Sequence, residues 1–197
     1  EFPETAYSVD FESNPEYESS ILRFRYSSLI TPPSVIDYHM DTGVWDFVRQ
    51  EEIPSGYDIT QYVSERTFAT APDGKQVPIS LVYKRDIPRD GSNPTLLYGY
   101  GAYGSAIDAG FNSGLLSLLD RGFVFAIGHV RGGSDMGRAW YEDGKLFNKK
   151  NSFTDFIACA EHLIREGYTS REKLAITGGS AGGLLVTVFK SLLMTTT

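Results

Sequence analysis

The sequence predicts an α/β fold: a largely parallel sheet with helices between its strands, preceded by a short run of antiparallel strands. Three observations predict it. From Pro94 onward, strand-like apolar runs alternate with helix-like stripes, the pattern of parallel strands joined by crossover helices. Before that point, period-two alternation is broken by tight turns, as in meanders and hairpins. Leu174 to Leu185 then reads as a buried strand, a glycine turn with a serine at its tip, and the start of an apolar helix.

Residues 1–20 are polar and acidic, carry Pro3 and Pro15, and read mostly as loop. Leu22, Phe24 and Tyr26 alternate with Arg23 and Arg25, which predicts a half-buried strand. Ile36, Tyr38 and Met40 predict a second, Asp41-Thr42-Gly43 a turn, and Val44 to Val48 a third. Such a meander cannot cover both its faces, so it reads as an edge or blade of a larger β structure. Glu51 to Asp58, with Pro54, Ser55 and Gly56, is the expected linker into a second unit. Val63 to Thr70 and Val77 to Lys84 form a hairpin closed by Pro72-Asp73-Gly74.

Thr95 to Tyr98 opens the parallel part. Ser113 to Arg121 is a helix stopped by Gly122, and Phe123 to Val130 is a strand apolar on both faces. Arg131 to Asp143 reads as a glycine-containing loop. The next helix is expected near Ser152, with Asp155 three residues on as a capping box and an apolar stripe through Phe156, Ile157, Ala160 and Leu163. Lys173 to Thr177 leads into the serine turn, and Ala181 to Met194, apolar nearly all round, reads as a buried helix.

Gly178-Gly179-Ser180-Ala181-Gly182 fits the G-x-S-x-G nucleophile elbow in its required strand–turn–helix context. A serine on a strained turn projects its hydroxyl above the sheet edge. Side chains at the flanking positions would collide with the neighbouring strand or helix, so glycine stands at Gly178 and Gly182. Ala181 opens the helix, and its free N–H suits one donor of an oxyanion hole. The bland alternative is a purely structural glycine turn. The whole pattern reads as the first half of an α/β-hydrolase sheet. In that fold the acid and the histidine follow the serine in the chain, and no histidine follows Ser180. His39 reads as a surface residue, His129 as a hydrogen-bonded structural histidine and His162 as solvent-facing. Without a base, a serine hydroxyl is a poor nucleophile near neutral pH.

A second motif competes. Gly99-Tyr100-Gly101-Ala102-Tyr103-Gly104 is literally G-x-G-x-x-G after a strand. Dinucleotide binding needs a helix opening among those glycines and an acid on the next strand, and neither is present. A tyrosine-bearing loop at a strand end reads better as part of an active site, with a phenol O–H as a second oxyanion donor. A net charge of -7 argues against nucleic-acid binding. No apolar run reaches the length of a membrane span, and no signal peptide is apparent. The single cysteine, Cys159, fits a reducing compartment, and the expectation is a cytoplasmic protein with no metal and no cofactor. Oligomeric state is not legible.

Leu97-Tyr98-Gly99-Tyr100-Gly101-Ala102-Tyr103-Gly104, Val130-Arg131-Gly132-Gly133, Trp140 and Gly178-Gly179-Ser180-Ala181-Gly182-Gly183 resemble the prolyl oligopeptidase family of peptidases. Arg23 to Ser28, Thr31-Pro32-Pro33, Tyr62 to Arg66 and Pro78 to Lys84 resemble its oligopeptidase B branch, as do Ala102 and Ala181. The resemblance implies a β-propeller capping an α/β-hydrolase domain. Residues 1–56 would be the closing part of the propeller, and 57–197 the first half of the peptidase domain. It implies a serine peptidase cleaving short peptides after Arg or Lys. Ser180 would be the nucleophile, Tyr100 and Ala181 the oxyanion hole, and Tyr103 a substrate-binding position.

The triad Asp and His and the acids that would select a basic side chain have no counterpart here. The chain opens on Glu1 and runs out in Thr195-Thr196-Thr197, so the expectation is a truncated protein, inactive as given, with an uncovered sheet edge. A non-catalytic binding or assembly module is the reading from another class, favoured by the missing histidine. An esterase or acyl-peptide hydrolase sharing the elbow is the third.

Overall fold

The computed structural model describes residues 2–194. Thr195-Thr196-Thr197 and Glu1, on which the expected truncation leaned, lie outside them. Two sheets make up the fold: a four-stranded antiparallel meander and a five-stranded mixed sheet. The meander runs β1 (Tyr7–Phe11), β2 (Ile21–Ser28), β3 (Ser34–His39), β4 (Trp45–Gln50), each strand beside the next. It contains one strand more than expected. Tyr7, Val9 and Phe11 do alternate with Ser8 and Asp10, but the strand is largely exposed and its neighbourhood is acidic. One face is held by an aromatic cluster of Phe2, Phe24, Tyr26, Tyr38 and Trp45. Phe11 and Phe47, 79% and 64% exposed, have no such cover.

The second sheet contains β5 (Tyr62–Thr70), β6 (Gln76–Lys84), β7 (Thr95–Gly99), β8 (Val124–Gly128) and β9 (Leu174–Thr177) in the order β5-β6-β8-β7-β9. β7 lies parallel to both β8 and β9, while β5, β6 and β8 pair antiparallel. β6 sits inside the sheet and is buried on both faces, as its near-continuous apolar run requires. α1 (Leu116–Leu119) follows a 3-10 turn at Ser113–Leu115 and is shorter than predicted. α2 (Arg138–Glu142), which buries Trp140, lies inside the segment read as loop. α3 (Lys150–Arg165) packs on β5 and on α4 (Ala181–Met194).

α4 is not buried all round. Leu185 and Phe189 enter the core beside Phe156, whereas Leu184 is 54% exposed because no described element packs on that side. The two sheets touch. Tyr57 donates to the Ile30 carbonyl at 2.7 Å, and the Phe111 N–H donates to Ser27 Oγ at 3.0 Å. Ala6, Leu29, Tyr62, Val82, Ala109 and Ile127 form one apolar cluster across the junction.

Three polar expectations are corrected. Ser152 does not cap α3. It lies inside the first turn, fully buried, and donates to the Arg131 carbonyl. Asp155 completes no capping box either. It grips Arg131 from both carboxylate oxygens, at 2.8 Å to Nε and 2.6 Å to an Nη, and also accepts the Arg131 N–H at 3.0 Å. Both side chains are at most 2% exposed. His162 faces the sheet rather than solvent. It is 7% exposed, with Nε2 3.0 Å from Thr67 Oγ1 and Nδ1 2.9 Å from Arg165. The apolar stripe of α3 misled because the helix is covered across a wider arc than the stripe.

Removing one partner of a fully desolvated ion pair leaves the other charge stranded. Asp155→Ala is therefore expected to lower unfolding free energy by about 3–5 kcal/mol. Asp73, whose carboxylate also reaches Arg131 but is 45% exposed, should lose less than about 1 kcal/mol on substitution by alanine. Urea titrations of the two variants test the contrast.

Burial, and then the neighbouring Arg165 charge, hold the His162 imidazole below its ordinary 6.5. The unfolded chain then takes up the proton more readily, so stability is lost as pH falls through about 6.5. Melting temperatures measured between pH 7.5 and 5.5 should show that loss, and His162→Gln should shrink it.

Candidate active site

The parallel strands end at one level. Gly99 pairs with Gly128, and Tyr98 with Thr177, so the residues that follow β7, β8 and β9 emerge together at the carboxyl edge of the sheet. Those residues are Tyr100, His129 and Gly178. Open parallel sheets place their sites at this edge.

Ser180 occupies the turn between β9 and α4 with φ +52, a left-handed conformation that costs a non-glycine residue roughly 1–2 kcal/mol. The residue is exposed at the tip. The turn is closed by Gly182 N–H to Gly179 O at 2.8 Å and Gly183 N–H to Ser180 O at 3.0 Å. Ala181 starts α4, and its N–H has no acceptor among the described residues. A strained, exposed hydroxyl beside an unfilled helix-terminal donor is the local geometry of a nucleophile next to a site for negative charge.

The glycines are fixed by packing. A Cβ on Gly178 would stand 2.7 Å from the Gly99 carbonyl oxygen, and one on Gly182 would stand 2.6 Å from the same atom. A Cβ on Gly99 would meet the Phe156 ring at 2.6 Å and Leu185 at 2.9 Å. Three backbones therefore meet with no side chain between them. A Cβ on Gly182 would also stand 3.5 Å from the Tyr100 Cα, so the main chain of Tyr100 lies against the first turn of α4. Sequence reasoning named Gly178 and Gly182 but gave Gly99 no such part. Its signal was the tight Gly99-Tyr100-Gly101 spacing.

Tyr100 is half-buried, and its phenol has no partner among the described residues. Tyr103, on the same loop, has φ +58 and is 79% exposed. No helix opens after Gly99. Residues 101–112 run as irregular loop, which leaves no terminus for a pyrophosphate, so the dinucleotide reading fails. The loop is pinned from below. Gly104 N–H donates to Gly132 O at 3.0 Å, and Ile107 N–H to Asp135 Oδ1 at 2.9 Å. Lys149 Nζ donates to the Gly101 carbonyl. Asp135 and Lys149 were missed because neither belongs to a motif.

The histidines stand apart from Ser180. His129, 3% exposed, lies between Ser80 Oγ at 2.8 Å and Asp135 Oδ1 at 2.7 Å. These are triad-like contacts, but Ser80 is fully buried and Arg66 donates to its Oγ at 3.0 Å. The Asp135 carboxylate can only accept, so Nδ1–H faces it, and in the neutral ring Nε2 accepts from the Ser80 hydroxyl. This network fixes β6, β8 and the loop after β8. His39 pairs with Asp46 at 2.8 Å on the meander, and His162 is held by β5 and α3. Cys159 is buried, and burial pushes its thiol up, so it behaves as an inert core residue. Among the described residues, no group of three or more His, Cys, Asp or Glu is placed to hold a metal ion, and no helix is long and apolar enough to cross a membrane.

Residues 110–191 match the prolyl oligopeptidase family. Dipeptidyl aminopeptidase BI of Pseudoxanthomonas mexicana is 48% identical over 184 residues, 93% of this chain and 25% of that protein. Protease 2 of Moraxella lacunata is 45% identical over 183 residues, 93% of this chain and 26% of that one. The closed form of oligopeptidase B from Trypanosoma brucei, with covalently bound antipain, superposes with a TM-score of 0.88 at 47% identity, covering 96% of this chain and 27% of its own.

The chain is similar to the prolyl oligopeptidase family along nearly its whole length. Within it, the likeness is to oligopeptidase B, and the chain spans about a quarter of the length of the curated relatives it matches.

Gly182→Ala should cost more than about 2 kcal/mol, since its new methyl meets backbone and not a yielding side chain. Gly179→Ala, with nothing within 4 Å, should change stability by less than about 0.5 kcal/mol. Ser180→Gly relieves the left-handed strain and should raise the melting temperature. Thermal unfolding of the three variants checks the order.

Proposed function

We propose that these residues carry the nucleophile and oxyanion-binding half of a serine peptidase. Ser180 attacks the scissile carbonyl and forms an acyl-enzyme. The Ala181 N–H and the Tyr100 phenol receive the charge that develops on the carbonyl oxygen. Tyr103 contacts the substrate side chain beside the scissile bond. The general base is a histidine outside these 197 residues, oriented by an equally external Asp. Residues 1–56 form the closing strands of a β-propeller and 57–197 the first half of the peptidase domain. The substrates are short peptides cut after Arg or Lys, in the cytoplasm.

The observation that carries the proposal is the strained exposed Ser180, packed through Gly182 against the main chain of Tyr100. Peptidase names among the relatives support the reaction class, and covalently bound antipain in the T. brucei enzyme supports covalent chemistry. Basic-residue specificity rests on the likeness to oligopeptidase B alone.

A non-catalytic binding module is favoured by a different observation. All three histidines are engaged away from Ser180, so the 197 residues alone hold no base for it. The two readings separate on covalent labelling. In the native protein in which these residues occur, a fluorophosphonate probe should modify Ser180, and Ser180→Ala should lose both label and hydrolysis of an Arg-amide peptide. Tyr100→Phe should keep the label and lower kcat by about 10²–10³-fold, the usual effect of removing one oxyanion donor. An unlabelled Ser180 in an intact native protein would leave the binding module standing.

A further inference from the structure

Lys149 is badly placed for stability. It immediately precedes α3, where the helix dipole is positive, and Lys150 follows it on the first helical residue. Among the described residues it forms no ion pair with a carboxylate. It is half-buried, and burial lowers its amine from the ordinary value. Each of these features disfavours a cation at this position. Its ammonium points at one place. It donates to the Gly101 carbonyl and lies 3.3 Å from Ser152 Oγ, with its charge 5.8 Å from the centre of the Phe153 ring.

Gly101 is the residue after Tyr100. It takes φ +62, and a Cβ there would meet Val130 at 2.6 Å and the Arg131 carbonyl at 3.1 Å. The chain therefore makes a sharp left-handed turn directly behind Tyr100, wedged against the strand end of β8. The carbonyl of this left-handed residue is the one Lys149 holds. Beyond it, the loop has main-chain ties at Gly104 and Ile107, but between Tyr100 and Gly104 the side-chain donors that hold it are Lys149 and, at 3.4 Å, Ser152. Ser152 Oγ has one proton, and its shorter contact is to the Arg131 carbonyl, so Lys149 is the effective clamp.

We propose that Lys149 is a positioning residue for Tyr100. Its ammonium fixes the Gly101 carbonyl and thereby the direction in which the Tyr100 phenol is presented at the carboxyl edge of the sheet. The inference rests on the reading of Tyr100 as a donor to the reacting carbonyl. It sets an unusual expectation. Replacing Lys149 by methionine removes a desolvated, dipole-opposed charge and keeps the volume, so the fold should gain or hold stability while the reaction slows.

The test uses the native protein with Lys149→Met, Lys149→Arg and Lys150→Met. Lys149→Met should lower kcat about 30-fold, as displacing a catalytic group by a fraction of an ångström does, with KM changed less than about twofold. Its melting temperature should not fall, and amide exchange at Gly104 and Ile107 should speed up. Lys149→Arg should recover most of kcat, and Lys150→Met should match wild type. A Lys149→Met protein that melts lower or fails to fold, with kcat falling only in step, would make Lys149 an ordinary structural tie and overturn the proposal, as would unchanged kcat. If wild type hydrolyses no peptide yet Lys149→Met still frees the loop amides, the clamp stands and the peptidase reading falls.

Discussion

The contact of three bare backbones, at Gly99, Gly178 and Gly182, is the constraint on which the site depends. Parallel pairing of β7 with β9 brings the ends of the two strands side by side, but pairing alone leaves room for side chains above the sheet. The glycines remove that room. With the Gly99 carbonyl 2.6–2.7 Å from where two Cβ atoms would stand, α4 is drawn down onto the end of β7. The turn before α4 is then too tight for ordinary backbone angles, and Ser180 carries the left-handed residue. Strain, exposure and proximity to Tyr100 follow from this close approach.

Around the contact, polar groups take over from apolar packing. Arg131, among the largest fully buried side chains, is neutralised by Asp155 of α3, and Ser152 of the same helix satisfies the Arg131 carbonyl. The loop after β8 is thus nailed to α3, and through Gly132 and Asp135 it holds the loop after β7. A hydrogen-bonded frame is expensive to bury unless every member is satisfied. It fixes loop geometry in a way that apolar contacts, tolerant of small slips, do not. The exposed apolar residues on the meander and on one side of α4 contrast with this frame, since no described element covers them.

The sequence disclosed the elements whose burial is one-dimensional. β6, β8 and α4 were legible because apolar residues run along them, and the elbow because strand, glycine turn and helix occur in one stretch. β1 was hidden because its alternating residues are mostly exposed, and α2 because a five-residue helix among glycines has no period to detect. Ser152 and Asp155 imitate a capping box in spacing, yet both turn inward to Arg131, a partner about twenty residues away that no local rule reveals. Lys149 and Asp135 were illegible for the same reason. Their meaning lies in which carbonyl or N–H the fold brings within reach. Ser180, Gly178, Gly182 and Ala181 were named from the elbow motif and Tyr100 from the family resemblance, but only the packing explains why Gly99 must accompany them.

Catalysis at Ser180 requires a histidine from outside these residues. The mass of the native protein that yields the Gly178–Leu185 peptide tests this most directly. The expected result is a polypeptide several times heavier than 21.8 kDa. A native species of 21.8 kDa would contradict it, because an elbow serine without a base is a scaffold and not a catalyst.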